Sequence, residues 1–569
     1  MVASLATIAT TEHVETSMFT KFSSDLDLRM FIMEHGKGSS NKGGAMVSTI
    51  EDASYSSTNV QVQGVDESDR VKTDGTHIYL GDGGKVHIIR AGPPMINVTT
   101  IDIGPADRSS VEGLYLSDQR LVVIYYEYNP SMNAGAGKAA MYDIMVPDGY
   151  VQRTCVKVYD VSDPSAPTLQ QSAGMTGYQV TSRMIGTTLY LVTEHSVWSY
   201  SDGQVGLPEL MVNGSNKDIA ATEVSYDPAM PEVSSFVNLL AFDTSSGRVG
   251  DLTALTGSTS VIYMSPTALY LTMQLWDSTV VSTSSELTTS IYRIAVDGTD
   301  MTLQAQGSIT GRPINQFALD EREGRLRIAT TVGWTNPSNE VHVLDLDLRE
   351  VGSVTGIAPG ESIYSCRFMG ERLYLVTYYQ VDPLFVIDLS TDTPAVLGQL
   401  KVPGASNYLQ MVDAGLMGIG FENGSVKVSL FNVTNPENMI EVGSFVVNGF
   451  SSSPAQYDHR AVTYISGKGI LAIPVTYYGS GYGTDGSYHL PSSAAVVLEL
   501  SNDGVIEVGS VMHENATVDR SLYIGEVLFT ISDTMVKASS LGTLEPLGSI
   551  TYGDGRTYYG IDDGIAVPL

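Results

Sequence analysis

The feature that most constrains this fold is a short element that recurs along the second half of the chain. It consists of an apolar residue, a glycine, a polar residue and a second apolar residue. Its glycines are Gly307, Gly352, Gly398, Gly443, Gly509 and Gly548. The first three intervals are 45, 46 and 45 residues, and the next is 66 because a Gly- and Tyr-rich segment from Tyr477 interrupts it. A regular period of this length indicates a repeat architecture.

Each period contains the pattern of four short strands. Ahead of each glycine stands an alternating run that ends in a turn, such as LFVIDLSTDTP from Leu384. Upstream of it lies an uncharged strand with aromatic residues, such as RLYLVTYY from Arg372, and before that a short strand that often carries Arg. Four strands in roughly 40 to 50 residues cannot bury a sheet face alone, so they predict a β-propeller blade that uses its neighbours as core.

The repeat count predicts an all-β protein, a single large β-propeller of eight to nine four-stranded blades. Nine units are counted, and they begin near Asn59, Arg108, Tyr178, Thr259, Pro313, Ser362, Ser406, Gln456 and Thr517. Because propellers usually have four to eight blades, eight stays open beside nine. Long insertions fall at residues 128–150, 200–235, 276–290 and 476–492. We expect the strand NVQVQG, from Asn59, to close the ring by pairing with strands from the other terminus.

Two regions are expected. Residues 1–50 hold a short helix and a flexible linker, and residues 51–569 hold the propeller. The helix follows Ser23 or Ser24 as N-cap and stops at Gly36, and the segment GKGSSNKGG after it is typical of a linker.

Charge and composition exclude several function classes. The chain has 63 acidic and 31 basic residues and a net charge of -32, so its surface repels nucleic acids and anionic lipids. No apolar stretch of about 18 residues predicts a membrane-spanning helix. Cys155 and Cys366 lie in different predicted blades, so we expect two buried free thiols rather than a disulfide.

Several segments resemble a known family. TNVQVQGVDESDRVKTDG from Thr58, INQFALDEREGRLRIATT from Ile314 and RSLYIGEVLFTIS from Arg520 are similar to secreted archaeal and bacterial proteins with a C-terminal β-propeller distantly related to WD-type repeats. The similarity runs from about residue 20 to 550. It implies an extracellular or cell-surface location, a signal or anchor segment missing or truncated at Met1, and no assigned reaction. Where the family pattern leads us to expect a histidine, this chain has LQMVDA from Leu409.

Charged side chains cluster on the short strands that face the axis of a propeller. The acids are Asp66, Glu67, Asp69, Asp320, Glu321, Asp458 and Asp519, and the arginines include Arg70, Arg183, Arg367, Arg460 and Arg520. They could bind a ligand in an ionic funnel, with Arg183, Arg367, Arg460 and Arg520 as candidates. Alternatively each Arg pairs with an acid of the next blade and holds the ring together. The repetition from blade to blade favours the second interpretation.

Residue types that signal metal sites or catalysis are sparse. Asp458 and His459 with Asp519 form the one local arrangement that resembles an acid/base pair, although a hydrogen-bonded structural histidine explains it equally well. No histidine or cysteine spacing fits zinc, and no cofactor is indicated. Asp66, Glu67 and Asp69 are candidate calcium ligands, although the spacing does not fit an EF-hand.

The Gly- and Tyr-rich insertion is the candidate contact loop. Tyr477, Tyr478 and Tyr482 suit protein or carbohydrate binding, because aromatic side chains offer rigid amphipathic contacts. A self-packed lid over the channel is the alternative.

We therefore expect an extracytoplasmic binding or scaffold module at the cell surface, with protein or carbohydrate as partner and no inserted membrane segment. The alternative is a propeller hydrolase or lyase acting on a polysaccharide or peptide in the channel, with Asp66, Asp69, Asp458 and His459 as catalytic residues.

Overall fold

The computed structural model confirms a β-propeller and resolves the count at nine blades. It describes residues 20–35, 54–92, 94–105, 108–130, 150–197, 206–228, 233–250, 253–275, 287–378, 382–478, 492–553, 559–562 and 565–568. Every blade is an antiparallel meander whose strands pair in chain order outwards from the axis.

The first strand of each blade is the innermost. We number the blades 1 to 9 in chain order. Their innermost strands are, in that order, Val71–Thr73, Ser109–Ser117, Tyr178–Ile185, Val261–Met264, Leu319–Arg322, Ser362–Met369, Ala405–Val412, Thr463–Ile465 and Val518–Ile524. The second strands are His77–Asp82, Arg120–Pro130, Thr188–Ser196, Ala268–Leu275, Arg325–Val332, Arg372–Tyr378, Gly415–Glu422, Ile470–Tyr477 and Val527–Ser532.

The third and fourth strands complete each blade. The third strands are Lys85–Arg90, Tyr150–Asp160, Ser235–Asp243, Thr288–Asp297, Ser338–Leu344, Asp382–Asp388, Ser425–Asn432, Ser492–Ser501 and Met535–Ser540. The fourth, outermost strands are Ile96–Asp102, Thr168–Thr176, Thr253–Thr256, Asp300–Thr310, Glu350–Ile357, Ala395–Val402, Ile440–Val446, Gly504–His513 and Pro546–Thr551.

Additional elements lie at the blade edges and in the connections. They are strands Thr20–Lys21, Glu209–Val212, Ser215–Asp218, Val224–Tyr226, Ser451–Ser452, Tyr559–Asp562 and Ile565–Pro568, and 3-10 turns Ala221–Glu223, Gln316–Ala318, Pro436–Asn438, Pro454–Gln456 and His459–Ala461. Strand Glu209–Val212 pairs with the outermost strand of blade 2, and Val224–Tyr226 pairs with that of blade 3. These strands cover sheet edges that would otherwise expose unpaired backbone groups.

The middle strands are buried on both faces because each blade lies between two others. In blade 6, Leu373, Leu375 and Ile387 are fully buried, and Tyr374 and Val386 on the opposite face are nearly so. The two sets belong to different hydrophobic clusters, one shared with each neighbouring blade. A single blade could not bury either face alone, so each blade depends on both of its neighbours for its core.

The recurring glycine has a packing role in the outermost strand. In blade 6, Val386 pairs with Gly398 and Ile387 with Val396, so Leu397 is the extra residue of a β-bulge. The equivalent bulge residues in blades 5, 7, 8 and 9 are Val351, Val442, Val508 and Leu547. A Cβ atom at Gly398 would lie 1.9 Å from the carbonyl oxygen of Pro436 in the turn of blade 7. The glycine therefore lets the next blade approach.

The predicted helix spans Asp25–His35. The hydroxyl of Ser24 accepts a hydrogen bond from the backbone amide of Asp27 at 3.1 Å, as expected of an N-cap. Leu28 and Ile32 pack with Phe236 and Ala254 of blade 3, so the helix docks on the ring. The expected linker GKGSSNKGG lies outside the described residues. No helix in the described ranges has the length and apolar character needed to span a membrane.

The expected ring closure by NVQVQG is wrong. Blade 1 begins at Val71, and residues 71–102 supply its four strands, while residues 518–551 supply those of blade 9. Side-chain packing closes the ring instead, with Ile78 and Leu80 of blade 1 against Phe529 and Ile531 of blade 9. The segment from Asn59 occupies a different position, described below.

The long insertions all connect second to third strands. Blades 2, 3, 4 and 8 carry them, between Pro130 and Tyr150, Ser196 and Ser235, Leu275 and Thr288, and Tyr477 and Ser492. We call the end of the ring at which these strands end, and inner strands begin, the insertion face. The opposite end, where inner strands turn into second strands, is the turn face.

We predict that Gly398→Ala destabilises the protein by about 1–3 kcal/mol, since the new methyl group must push blade 7 away from blade 6. Chemical denaturation measures the change. Gly542→Ala is the matched control, because a Cβ at Gly542 meets no atom within 4 Å. Equal stability of the two variants would contradict the packing role of the repeated glycine.

Candidate functional site

Residues 54–70 form a loop that fills the centre of the ring, and we call it the central loop. Backbone bridges link its Tyr55 to Ile524 of blade 9, its Asp66 to Met184 of blade 3 and its Asp69 to Leu114 of blade 2. All three partners lie on innermost strands. The central loop therefore takes the place of an open channel in this part of the ring.

The middle of the central loop reaches the insertion side. The side-chain amide of Asn59 donates to the carbonyl oxygen of His459 at 2.8 Å, where blade 8 begins. Gln61 donates to the carbonyl oxygen of Gln316 at 2.9 Å, ahead of blade 5. Val65 packs in the cluster that holds Ile262 of blade 4. The central loop thus contacts blades on opposite sides of the axis.

Glu67 is the deepest carboxylate of the central loop. One oxygen lies 3.8 Å from the Arg183 guanidinium and accepts a hydrogen bond from the amide of Gln61, and the other lies 3.3 Å from Nε2 of His459. Burial alone would raise its pKa, but Arg183 and His459 outweigh this and lower the pKa to about 2. Burial lowers the pKa of His459, against the opposing effect of the Glu67 carboxylate beside it.

Asp458 joins two arginines from neighbouring blades. Arg460 donates to it at 2.7 Å, and Arg520 of blade 9 donates to its other oxygen at 2.5 Å. Arg520 also donates to Asp69 of the central loop at 2.9 Å. Burial opposes ionisation of Asp458, yet the two guanidiniums hold its pKa well below the ordinary range. Burial also opposes the charge of Arg520, but the carboxylates of Asp69, Asp458 and Asp519 raise its pKa.

Two further pairs complete the charge cluster at the axis. Lys72 donates to Asp66 at 2.9 Å, and Arg70 donates to Asp519 at 2.5 Å. We call the ten residues the axial network: Asp66, Glu67, Asp69, Asp458, Asp519, Arg70, Lys72, Arg183, Arg460 and Arg520. Five carboxylates face five cationic side chains, so the axial network has no net charge.

The other predicted charged residues have partners outside this network, although Arg367 interacts electrostatically with Glu67 as well as with Asp320. Arg367 is buried, 5.5 Å from the ring centroid of Phe317, and burial lowers its pKa. Asp320 pairs with Arg327, and Glu321 accepts hydrogen bonds from Tyr270 and Ser265.

The candidate calcium ligands Asp66, Glu67 and Asp69 lie in one loop, but their carboxylates face different cationic side chains. Asp66 faces Lys72, Glu67 faces Arg183 and Asp69 faces Arg520, so each carboxylate has its own cationic partner. In the part of the chain that the structure describes, no group of three His, Cys, Asp or Glu side chains is arranged to hold a metal ion.

A cavity of about 660 Å³ opens at the turn face, and we call it the axial cavity. Residues of the central loop form one wall, and the ends of the inner strands of blades 1, 2, 3, 8 and 9 form the other. Its polar lining includes Ser57, Thr58, Asn59 and Ser117. Sequence reasoning missed these residues, since serine and threonine are frequent and carry no spacing signal.

Five aromatic side chains of blades 6, 7 and 8 lie on the insertion face in two groups: Tyr364, Tyr378 and Phe421, whose rings contact one another, and Phe450 and Tyr478. We call them the aromatic surface. The rings of Tyr364 and Tyr378 lie 5.4 Å apart, and Phe421 lies 5.9 Å from Tyr378. The backbone amide of Tyr478 donates to the carbonyl oxygen of Phe450 at 2.9 Å.

The predicted contact loop contributes in part to this surface. Tyr477 ends the second strand of blade 8 and is only partly exposed, whereas Tyr478 follows it and is 53% exposed. Tyr482 lies outside the described residues.

Fold and sequence together define the class as a β-propeller with a filled axis. The family model described as "Beta propeller domain" matches residues 55–544, and the chain belongs to this family. An uncharacterized protein of Archaeoglobus fulgidus is 28% identical over 507 residues, which cover 75% of this chain and 76% of that protein. An uncharacterized protein of Methanocaldococcus jannaschii is 28% identical, covering 86% of this chain and 82% of its own length.

Solved structures resemble the chain only distantly. A eukaryotic initiation factor matches with a TM-score of 0.45 and 9% identity, over 84% of this chain and 96% of that one. A putative 6-phosphogluconolactonase from Bacteroides uniformis matches with a TM-score of 0.32 and 13% identity, over 55% of this chain and 92% of that one. Similarity at this level carries no information on function.

We predict that replacing the Glu67 carboxylate destabilises the ring in a pH-dependent way. Because the folded-state pKa of Glu67 is about 2 against an ordinary 4.5, its contribution is complete above pH 4.5 and is lost as pH falls towards 2. Glu67→Gln should therefore lower the free energy of unfolding by about 3 kcal/mol at pH 7. The gap between the unfolding free energies of wild type and variant should narrow below pH 4.5.

Denaturant titrations at pH 7, 5, 4 and 3 measure this gap. Glu545→Gln serves as the control, because Glu545 lies exposed in the last turn of blade 9 and its removal should change stability little at any pH. A Glu67→Gln gap that does not vary with pH would contradict the ionised, paired state of Glu67.

Proposed function

We propose that this protein is a non-enzymatic binding and scaffold module that acts outside the cytoplasm and contacts a protein partner through its aromatic surface. The observation that carries the proposal is the axial network. In this network the charged groups that a catalytic channel would use are paired with one another. The exposed aromatic side chains are then the surface best suited to contact a partner.

The carboxylates proposed as catalytic residues of a propeller hydrolase or lyase form ion pairs with cationic side chains. Asp458 binds Arg460 and Arg520, Asp69 binds Arg520, and Asp66 binds Lys72. The pKa of Asp458 is lowered, whereas a general acid at neutral pH needs a raised one. His459 is fully buried beside Glu67. This arrangement supports a structural role for the four residues.

The aromatic surface has the character of a protein-binding site. Phe450 is 68% and Tyr478 53% exposed, although burial of large aromatic side chains is strongly favourable. Tyr, Phe and Trp are enriched at the centres of protein interfaces, where they supply most of the binding energy. Exposed aromatic residues that meet on one face therefore indicate a partner that covers them.

Ring orientation favours a protein over a carbohydrate. The planes of Tyr378 and Phe421 are inclined by 76°, and those of Tyr364 and Phe421 by 72°. Rings packed edge to face present a ridged surface, which suits interdigitating side chains. A sugar ring stacks better on a flat aromatic face. We therefore take a protein as the partner and a carbohydrate as the competing outcome.

The extracytoplasmic location rests on the family resemblance, and two properties of the chain are compatible with it. The strongly acidic surface disfavours nucleic acids, in line with a role away from them. Burial raises the pKa of the Cys155 thiol to about 11 and that of Cys366 to about 12, and both thiols are free. Protonated, buried thiols react slowly, so an oxidising compartment would leave this protein intact. The family resemblance points in the same direction.

Peptides selected by phage display on the wild-type protein test the aromatic surface. We expect selected peptides with apolar anchors whose affinity falls at least about tenfold with Phe450→Ala or Tyr478→Ala, since interface aromatic residues supply about 1.4 kcal/mol or more each. The matched control is Ile506→Ala, which removes an equally exposed apolar side chain from the outermost strand of blade 8.

Affinity electrophoresis in neutral polysaccharide gels is the parallel measurement. If a polysaccharide retards the wild type but not Tyr478→Ala, the partner of the aromatic surface is a carbohydrate and not a protein. Peptides that bind all variants equally, or no binding in either assay, would overturn the proposed contact surface.

A further inference from the structure

We propose that the axial cavity is a binding site for a small, uncharged, hydroxyl-rich molecule, of the size of a mono- or disaccharide or a similar polyol. This site lies on the turn face, opposite the aromatic surface, and does not depend on the proposed protein partner.

The size and walls of the axial cavity suit a small molecule. Its volume of about 660 Å³ falls within the roughly 300–1,000 Å³ of ordinary ligand sites. Blades 1, 2, 3, 8 and 9 contribute the ends of their inner strands, and the central loop completes the wall. These strands belong to the packed ring, so the cavity is preformed and its walls need little ordering on binding.

Charge on the floor of the cavity selects against ions. Asp66, Asp69, Lys72, Arg460 and Arg520 line it, and each is paired within the axial network. Because that network carries no net charge, an anion or cation would lose its hydration without gaining a counter-charge. A neutral ligand avoids this penalty.

Asn59 supplies a buried acceptor that has no partner in the described part of the chain. Its side chain is 8% exposed, and its amide nitrogen donates to the His459 carbonyl oxygen, which fixes the orientation of the amide group. Its oxygen Oδ1 then accepts no hydrogen bond. An unsatisfied buried acceptor costs about 1–3 kcal/mol. Because this oxygen has almost no accessible surface, the Asn59 side chain must turn slightly towards the cavity for a ligand hydroxyl to donate to it.

Further polar groups on the same wall suit a hydroxyl-rich ligand. The hydroxyl-bearing side chains of Ser57, Thr58 and Ser117 line the cavity. Asp66 accepts hydrogen bonds from Lys72 and from the amide of Glu67 through Oδ1, which leaves Oδ2 available. Hydroxyl groups both donate and accept, so a polyol matches this mixture.

Apolar side chains occupy the remaining wall. Leu116, Met184, Val462 and Leu522 line the cavity together with Tyr464 and Tyr523. They would contact the C–H faces of a sugar ring, while a fully apolar ligand would leave the Asn59 oxygen unsatisfied. The lining as a whole therefore favours an amphipathic, neutral carbohydrate or polyol.

Saturation-transfer NMR and titration calorimetry with the full chain test this site. The probes are glucose, galactose, trehalose, myo-inositol and glycerol, with glucuronate and glucosamine as charged comparators and cyclohexanol as an apolar one. We expect at least one neutral sugar or polyol to bind, and at least about tenfold tighter than the charged and apolar comparators.

Two variants locate the binding. Ser117→Phe places a ring at the mouth of the cavity and should weaken binding at least about tenfold. Ser57→Phe does the same from the exposed part of the central loop, which provides a second variant if Ser117→Phe does not fold. Ser308→Phe, on the exposed outermost strand of blade 4, is the matched control and should bind like the wild type.

Three results would overturn the proposal. These are no binding of any neutral probe up to about 50 mM, tighter binding of a charged probe, and binding that both folded cavity variants retain. Peptide binding at the aromatic surface should be unchanged in Ser117→Phe, so failure at one site is distinguishable from failure at the other.

Discussion

Neutralisation of charge at the axis is the interaction on which this architecture depends. Nine blades place their inner strands on a wider circle than the usual four to eight, so the centre must be filled or left to water. The central loop fills it with Asp66, Glu67 and Asp69, which face Lys72, Arg183 and Arg520. Removing one partner would leave a buried charge unpaired, so the central loop and the ring stabilise each other.

The filled axis separates two surfaces with different chemistry. The insertion face carries exposed aromatic residues such as Phe450 and Tyr478, and its connections vary in length between blades. The turn face carries short turns and the axial cavity, whose walls are rigid strands and paired charges. A variable face suits recognition of a partner, and a preformed cavity suits a small ligand, so one ring can serve both roles.

Much of the fold was predictable from the sequence, because every blade must bury the same kind of sheet face against its neighbours and therefore carries the same residue pattern. Four of the glycines that marked the period, Gly307, Gly352, Gly398 and Gly443, lie where the backbone of the next blade approaches, as Pro436 does at Gly398. The candidate charges also lie at the axis as expected. The role of Asn59–Gly64 was mispredicted, because an alternating segment that forms no strand of a blade looks like any other strand in sequence. No sequence pattern around Ser57 or Ser117 predicted a cavity.

The sequence by itself determined the propeller fold, the order of its blades and the residue types at the axis, because hydrophobic period and turn residues act over a few tens of residues. The tertiary structure decided between eight and nine blades. The tertiary structure decided which charges meet, that they cancel, and where a cavity and an aromatic surface form. Those outcomes depend on contacts between residues hundreds of positions apart, such as Asp69 with Arg520 and Asn59 with His459. Such contacts follow from closing the ring, and no local pattern encodes them.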